Sequence, residues 1–207
     1  MKPTLPEAPL SEFLDGRPLS VREPSGVDGN VTVTELLVLA SLVKTHQPRM
    51  IFEIGTFDGR TTLNLATNAP GAEVHTLDLP PGRPTALPLK GGDDVYIDKP
   101  QSGSRFLGTD CAPRIRQHFG DSATFDFTPF ESRVDMVFVD GAHSAEYVRS
   151  DSMNALKLLR GGRGIIAWHD YGTQQVTETL DELSRQVPAF SGMRRVQETG
   201  LALLLVP

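Results

Sequence analysis

Five short stretches carry residue types that could do chemistry together. Gly55-Thr56-Phe57-Asp58-Gly59 follows the apolar run Met50-Ile51-Phe52-Glu53-Ile54 and precedes Arg60-Thr61-Thr62-Leu63. That order reads as a buried strand, a tight glycine turn and a helix start, which aims free backbone N–H groups and a positive helix end at a ligand. Asp78 ends the next strand-like stretch, Glu73-Val74-His75-Thr76-Leu77, and lies about twenty residues beyond the turn, the spacing of an acid that takes both ribose hydroxyls at a strand's carboxyl end. A lone acid there could instead cap a helix. Asp121-Ser122 follows Gly120 and could receive an adenine ring, although Asp-Ser is common in turns. Asp140-Gly141-Ala142-His143 ends the run Val134–Val139, and His169-Asp170 ends Gly164–Trp168. Charged side chains at the ends of buried strands are costly unless paired or used.

The glycine turn excludes two familiar ligand sites. G-x-G-x-x-G needs a glycine where Phe57 stands, and a phosphate-binding loop needs a lysine after Gly59. A ligand recognised without phosphate contacts is favoured.

The elements that must position these residues can be traced in order. Met1 to about Gly29 is rich in proline and turns, and reads as an arm, either loose or folded over the site. Thr32-Val33-Thr34-Glu35 has the form of a capping box, and the apolar face from Leu36 to Val43 makes a helix that ends before Pro48. The helix after the glycine turn runs to Asn68. Glu73 to Asp78 is a strand. Leu79 to about Arg105 is irregular and reads either as a lid over the site or as a surface insertion. Cys111 to Phe119 reads as a helix, and Ala123 to Phe127 as a short strand. Val134 to Asp140 and Gly164 to Tyr171 are buried strands. Ser144 to Arg160 and Gln174 to Gln186 are amphipathic helices, and Met193–Gln197 with Leu201–Val206 form a terminal antiparallel hairpin.

The totals set bounds. A chain of 207 residues with 39% hydrophobic and 22% charged residues suits one soluble domain with a sizeable core. The net charge of -6 argues against a general nucleic-acid binder. The single cysteine, Cys111, permits no internal disulfide and fits a reducing cytoplasm. No apolar run approaches the roughly 20 residues of a membrane span, and the N-terminus has no signal-peptide core. A homo-oligomer is compatible with the sequence.

Alternating strands and helices followed by a hairpin give an α/β, Rossmann-like, doubly wound sheet. The chain resembles the class I methyltransferases that use S-adenosylmethionine (SAM). Within them it is similar to the small family of macrolide-sugar O-methyltransferases and cephalosporin-hydroxylase-like proteins, and more distantly to catechol O-methyltransferase. The resemblance is carried by EIGTFDGRTT from Glu53, HTLD ending at Asp78, GDSATFDF from Gly120, DMVFVDGAHSAEYV from Asp135 and LLRGGRGIIAWHDYG from Leu158. It implies seven strands in the order 3-2-1-4-5-7-6 with the last antiparallel, in a methyltransferase domain over residues 31–207 behind the arm of residues 1–30.

The resemblance also implies site roles. Glu53, Gly55, Thr56 and Asp58 would form the methionine end of the SAM site, Asp78 and Leu79 the ribose end, and Asp121 and Ser122 the adenine end. Asp140 would border the cofactor and serve as the first metal-ligand acid. His169 and Asp170 stand where metal-dependent relatives carry Asp-Asp or Asp-Asn. Asp140 and Asp170 could hold Mg²⁺ with His169 turned away; all three could bind a softer ion; or no metal binds. His143 stands at the offset of a catalytic lysine, and an imidazole with an ordinary pKa near 6.5 suits proton removal at neutral pH; it could equally cap the following helix. The implied reaction is O-methylation of a small hydroxylated molecule, a sugar or phenolic. The alternatives are a hydroxylase-like or idle relative that keeps the pocket, and a nucleotide- or sugar-binding protein without SAM affinity.

Overall fold

Buried strands with nearly continuous apolar runs need helices on both faces, and that is how the chain folds. The structure is a computed structural model that describes residues 3–90, 92–97 and 101–207. Residues 1–2 of the expected arm, and residues 91 and 98–100 of the expected lid, lie outside the described residues. The strands are β1 (Glu7–Ala8), β2 (Met50–Ile54), β3 (Glu73–Asp78), β4 (Ile115–Phe119), β5 (Met136–Val139), β6 (Gly164–Trp168), β7 (Arg194–Val196) and β8 (Ala202–Val206). The helices are α1 (Val33–His46), α2 (Arg60–Asn68), the short α3 (Asp94–Ile97), α4 (Ala145–Leu158) and α5 (Gln174–Gln186).

The described strands make one sheet in the order β1-β7-β8-β6-β5-β2-β3-β4. Strands β2 to β6 pair in parallel, and β8 enters antiparallel between β6 and β7. The sheet therefore has eight strands rather than the expected seven. The addition is β1, which pairs in parallel with Arg195 and Val196 at the edge. Part of the N-terminal arm is thus tied to the sheet: the Leu5 N–H donates to the Tyr171 hydroxyl at 3.1 Å. Further along the arm, the buried Arg60 guanidinium donates to the carbonyls of Glu23, Pro24 and Val31.

Two expected elements were misassigned. Residues 115–119 form the edge strand β4, not a helix, and residues 123–127 form turns, not a strand. The sequence Ile115-Arg116-Gln117-His118-Phe119 is largely polar because an edge strand need not be apolar on both faces. Phe125, Phe127 and Phe130 instead pack around Phe52 beside β2, which explains the apolar pattern mistaken for a strand.

Register places the chemistry. Ile54 pairs with Leu77 on one side and with Val139 on the other, and Val139 pairs with Trp168. The residues just beyond these partners are Gly55, Asp78, Asp140 and His169, so all four emerge at one edge. The chain leaves β2 toward β3 and β4, then returns to β5 on the other side. The crevice opens at that switch point, where open α/β sheets bind ligands.

Candidate active site

The turn after β2 is built for close approach. Gly55 has φ +99°, and a Cβ on it would lie 1.9 Å from the Asp140 carbonyl oxygen, so only glycine fits. Beneath the turn Glu53 is fully buried and accepts from the hydroxyls of Thr62 and Thr76. Burial pushes its carboxyl up to about 8. Between the unperturbed value of 4.5 and about 8, the folded chain holds a proton that the unfolded chain has lost. Stability from this group is complete below 4.5 and disappears as pH rises through about 8. Urea midpoints should therefore fall from pH 6 to pH 9, and the fall should shrink in Glu53→Gln, which mimics the protonated acid. An unchanged fall in the variant would contradict this assignment.

A cavity of about 490 Å³ lies above the strand ends. Gly55, Asp78, Leu79, Asp121, Ser122 and Asp140 line it. Three residues expected at the cofactor do not. Glu53 lies below the turn. The Thr56 hydroxyl is 2.6 Å from that of Thr76 in the interior. Asp58 caps α2 through the Arg60 N–H at 3.0 Å and holds Asn30 at 3.1 Å. These three support the turn rather than face the cavity.

The Asp121 carboxylate is partly engaged. It accepts from the Tyr147 hydroxyl at 2.8 Å and from the Ala86 N–H at 2.6 Å. Segment 79–105 is further held by Gly103 N–H on the Phe57 carbonyl at 2.9 Å and by Arg105 on Asp58 at 3.1 Å. Leu89, Lys90, Asp93 and Tyr96 from this segment line the cavity wall.

The other end of the cavity holds a cluster of acids and imidazoles. Donor atoms of Asp140, His169 and Asp170 lie within 4.8 Å of one another. His169 Nδ1 is 3.0 Å from Asp140 and 2.9 Å from Asp170, so the ring is not turned away. His169 is largely buried, which alone would lower its pKa; Asp140, Asp170 and Glu35 outweigh that and hold it well above the ordinary value. Burial alone would raise the Asp170 carboxyl, but hydrogen bonds from His143 and His169 hold it below the usual range.

His143 does not cap the helix; Ser144 does, accepting from the Tyr147 N–H at 3.4 Å. His143 is clasped instead. Its Nε2 is 2.7 Å from Asp170, its Nδ1 2.8 Å from Asp93, and its N–H donates to Asp93 at 3.0 Å. The hydrogen bonds to Asp170 and Asp93 push its pKa up to about 10. The imidazole is therefore held between two carboxylates that favour its protonated form.

Sequence reasoning missed Glu35, Asp93, Tyr96 and Phe57 as parts of this region. Phe57 and Tyr96 meet edge-on at the cavity wall with centroids 6.0 Å apart. Tyr147 could have been found, since it lies in the quoted DGAHSAEYV stretch one helical turn beyond His143.

This doubly wound sheet, with its ligand cavity at the switch point and acids on successive strand ends, defines a Rossmann-like enzyme fold. A family model described as a methyltransferase domain matches residues 52–171, and the chain belongs to that family. No curated protein matches the chain. Three similar solved structures share the fold. The O-methyltransferase TomG from Streptomyces achromogenes, in complex with SAM, is 21% identical with a TM-score of 0.61, covering 86% of this chain and 82% of that one. An O-methyltransferase from Bacillus cereus, in complex with S-adenosylhomocysteine (SAH), is 18% identical with a TM-score of 0.62, covering 87% and 84%. Cofactor-bound Rv0187 from MTB is 20% identical with a TM-score of 0.61, covering 86% and 81%. No helix among the described residues is long and apolar enough to cross a membrane.

Proposed function

We propose that this methyltransferase-domain protein transfers a methyl group from SAM to a hydroxyl of a small molecule, a sugar or a phenolic. The observation that carries the reading is the cavity itself: a side-chain-free turn at Gly55, an acid at the end of β3 and Asp121-Ser122 after β4 line it together with the Asp140–His169–Asp170 cluster. Similarity to O-methyltransferases bound to SAM and SAH supports it.

SAM supplies a methyl group on a reactive sulfonium, so the protein's main work is alignment, which can account for about 7–11 kcal/mol of barrier. Gly55 leaves room for the methionine end, Asp78 accepts from the ribose, and Ser122 with Asp121 borders the adenine. A cation at Asp140, His169 and Asp170 would supply Lewis acidity toward the acceptor oxygen; two carboxylates and an imidazole suit a divalent ion. His143, on the cavity wall between Asp93 and Asp170, is the candidate to take the acceptor's proton once Asp170 is engaged by the cation. Leu89, Lys90, Asp93 and Tyr96 close part of the cavity wall, and residues 31–207 form the catalytic domain behind an arm that begins the chain.

Calorimetry with SAH tests the reading. SAH should bind to the full chain, while NAD and ATP should not. Asp78→Ala should weaken SAH by about 10–100-fold, the loss of hydrogen bonds to a charged group worth roughly 1.5–3 kcal/mol. Equal affinity in wild type and variant would remove Asp78 from the ribose site, and tight binding of ATP in place of SAH would remove the function.

A further inference from the structure

The two nitrogens of His169 have different employments. Nδ1 faces Asp140 and Asp170, at 3.0 and 2.9 Å. Nε2 points the other way and lies 3.3 Å from Glu35 Oε2. Glu35 comes from the first turn of α1 and is 3% exposed. Its own position is fixed from three directions. The Thr32 N–H donates to Oε2 at 2.6 Å, the Thr32 hydroxyl to the same oxygen at 2.9 Å, and the Gly200 N–H to Oε1 at 2.6 Å. One carboxylate thereby completes the helix cap and receives the imidazole.

A carboxylate behind an imidazole fixes the ring's tautomer and orientation and raises the basicity of the other nitrogen, as behind ligating histidines in metal sites. Nε2–H stays on Glu35, and an ion entering between Asp140 and Asp170 would displace the proton from Nδ1 and take up its lone pair. Mg²⁺ prefers an all-oxygen shell. A nitrogen donor held in place beside two carboxylates suits first-row transition ions.

We infer that Asp140, His169 and Asp170 bind a divalent transition ion such as Mn²⁺, Fe²⁺ or Zn²⁺ in preference to Mg²⁺, and that Glu35 is the positioning residue that makes His169 Nδ1 a ligand. The inference rests on the reading of this cluster as the cation site of the methyltransferase. It assigns Glu35 a role beyond helix capping, across 134 residues of sequence.

The test is a titration of the chelator-stripped full chain with MnCl₂, ZnCl₂ and MgCl₂ separately, with SAH calorimetry run beside it. Mn²⁺ and Zn²⁺ should each bind at one per chain, at least about 10-fold more tightly than Mg²⁺. Spin-echo spectra of the Mn²⁺ form should show one imidazole nitrogen. Glu35→Gln should weaken Mn²⁺ by about 10–100-fold. Because that change also touches the α1 cap, His169→Asp provides a second variant that leaves the cap intact. It should lose the nitrogen signal and shift preference toward Mg²⁺. Equal or tighter Mg²⁺ binding in wild type, no binding of any ion, or an unaltered Mn²⁺ affinity in folded Glu35→Gln would each overturn the inference. A chain that binds SAH but none of the ions would overturn it while leaving the methyltransferase reading standing. Selective Mn²⁺ binding without SAH binding would support the metal assignment and overturn the methyltransferase reading alone.

Discussion

Asp140→Ala is expected to lower kcat by about 10³-fold while changing SAH affinity only a few-fold. Asp140 lies at the end of β5 on the cavity wall, and its carboxylate is 3.0 Å from His169 Nδ1. Removing it strips the cluster of one of its two aspartates and of a contact to His169 Nδ1. Loss of one group that stabilises charge at the reacting oxygen typically costs about 10²–10³-fold, roughly 2.7–4 kcal/mol. The nucleoside end should barely notice, because Asp78, Asp121 and Ser122 sit on other strand ends. Steady-state kinetics and SAH calorimetry on one preparation check both halves. Full turnover in the variant would contradict the role given to Asp140, and loss of SAH binding with unchanged kcat would invert it.

Gly55→Ala should produce the largest structural effect of a single methyl group in this chain. The residue has φ +99°, and the added carbon would lie 1.9 Å from the Asp140 carbonyl oxygen, which is backbone and cannot swing aside. Strain at that φ and overpacking each cost roughly 1–3 kcal/mol, so a destabilisation of about 4 kcal/mol is expected. For a chain of this size that lowers Tm by roughly 8–16 °C. Gly71→Ala is the control, with no atom within 4 Å of its added carbon. SAH binding should weaken in the Gly55 variant, since the displaced groups form the cavity wall. A Tm within a degree of wild type would show that the turn is looser than described.

The parts of this architecture that were legible in the sequence are those fixed by local chemistry. The Thr32–Glu35 capping box marks the start of α1, the glycine turn and the Ala69-Pro70-Gly71 stop bound α2, and apolar spacing marks α5 from Gln174 to Gln186. Strands β2, β5 and β6 are largely apolar because both faces are covered, so their carboxyl ends, and the polar residues just beyond them, could be located. Strand β4 could not, because its edge position removes the demand for apolar residues. Strand β1 could not either: two residues carry no periodicity, and its pairing with β7 spans almost the whole chain.

The site divides in the same way. Gly55, Asp78, Asp121, Ser122 and Asp140 line one cavity; the places of Gly55, Asp78 and Asp140 at strand ends suggested it, whereas Asp121 and Ser122 follow a strand read as a helix. Glu53, Thr56 and Asp58 were placed one layer too high, because a motif read as a string does not say which side chains point below the turn. The Glu35 contact to His169 and the Asp93 contact to His143 join distant segments, and no local signal marks them. His143 shows the consequence: its residue type suggests a base, but nothing local in the sequence shows the two carboxylates that clasp its ring.

The central claim is that the crevice between the ends of β2, β3 and β5 holds a sulfonium nucleoside. The position of SAH in a crystal of its complex with the full chain tests that most directly. The account predicts the ribose hydroxyls on the Asp78 carboxylate, the adenine beside Asp121 and Ser122, and the sulfur facing the Asp140–His169–Asp170 cluster. SAH bound elsewhere, or a cavity left empty at saturating SAH, would contradict it.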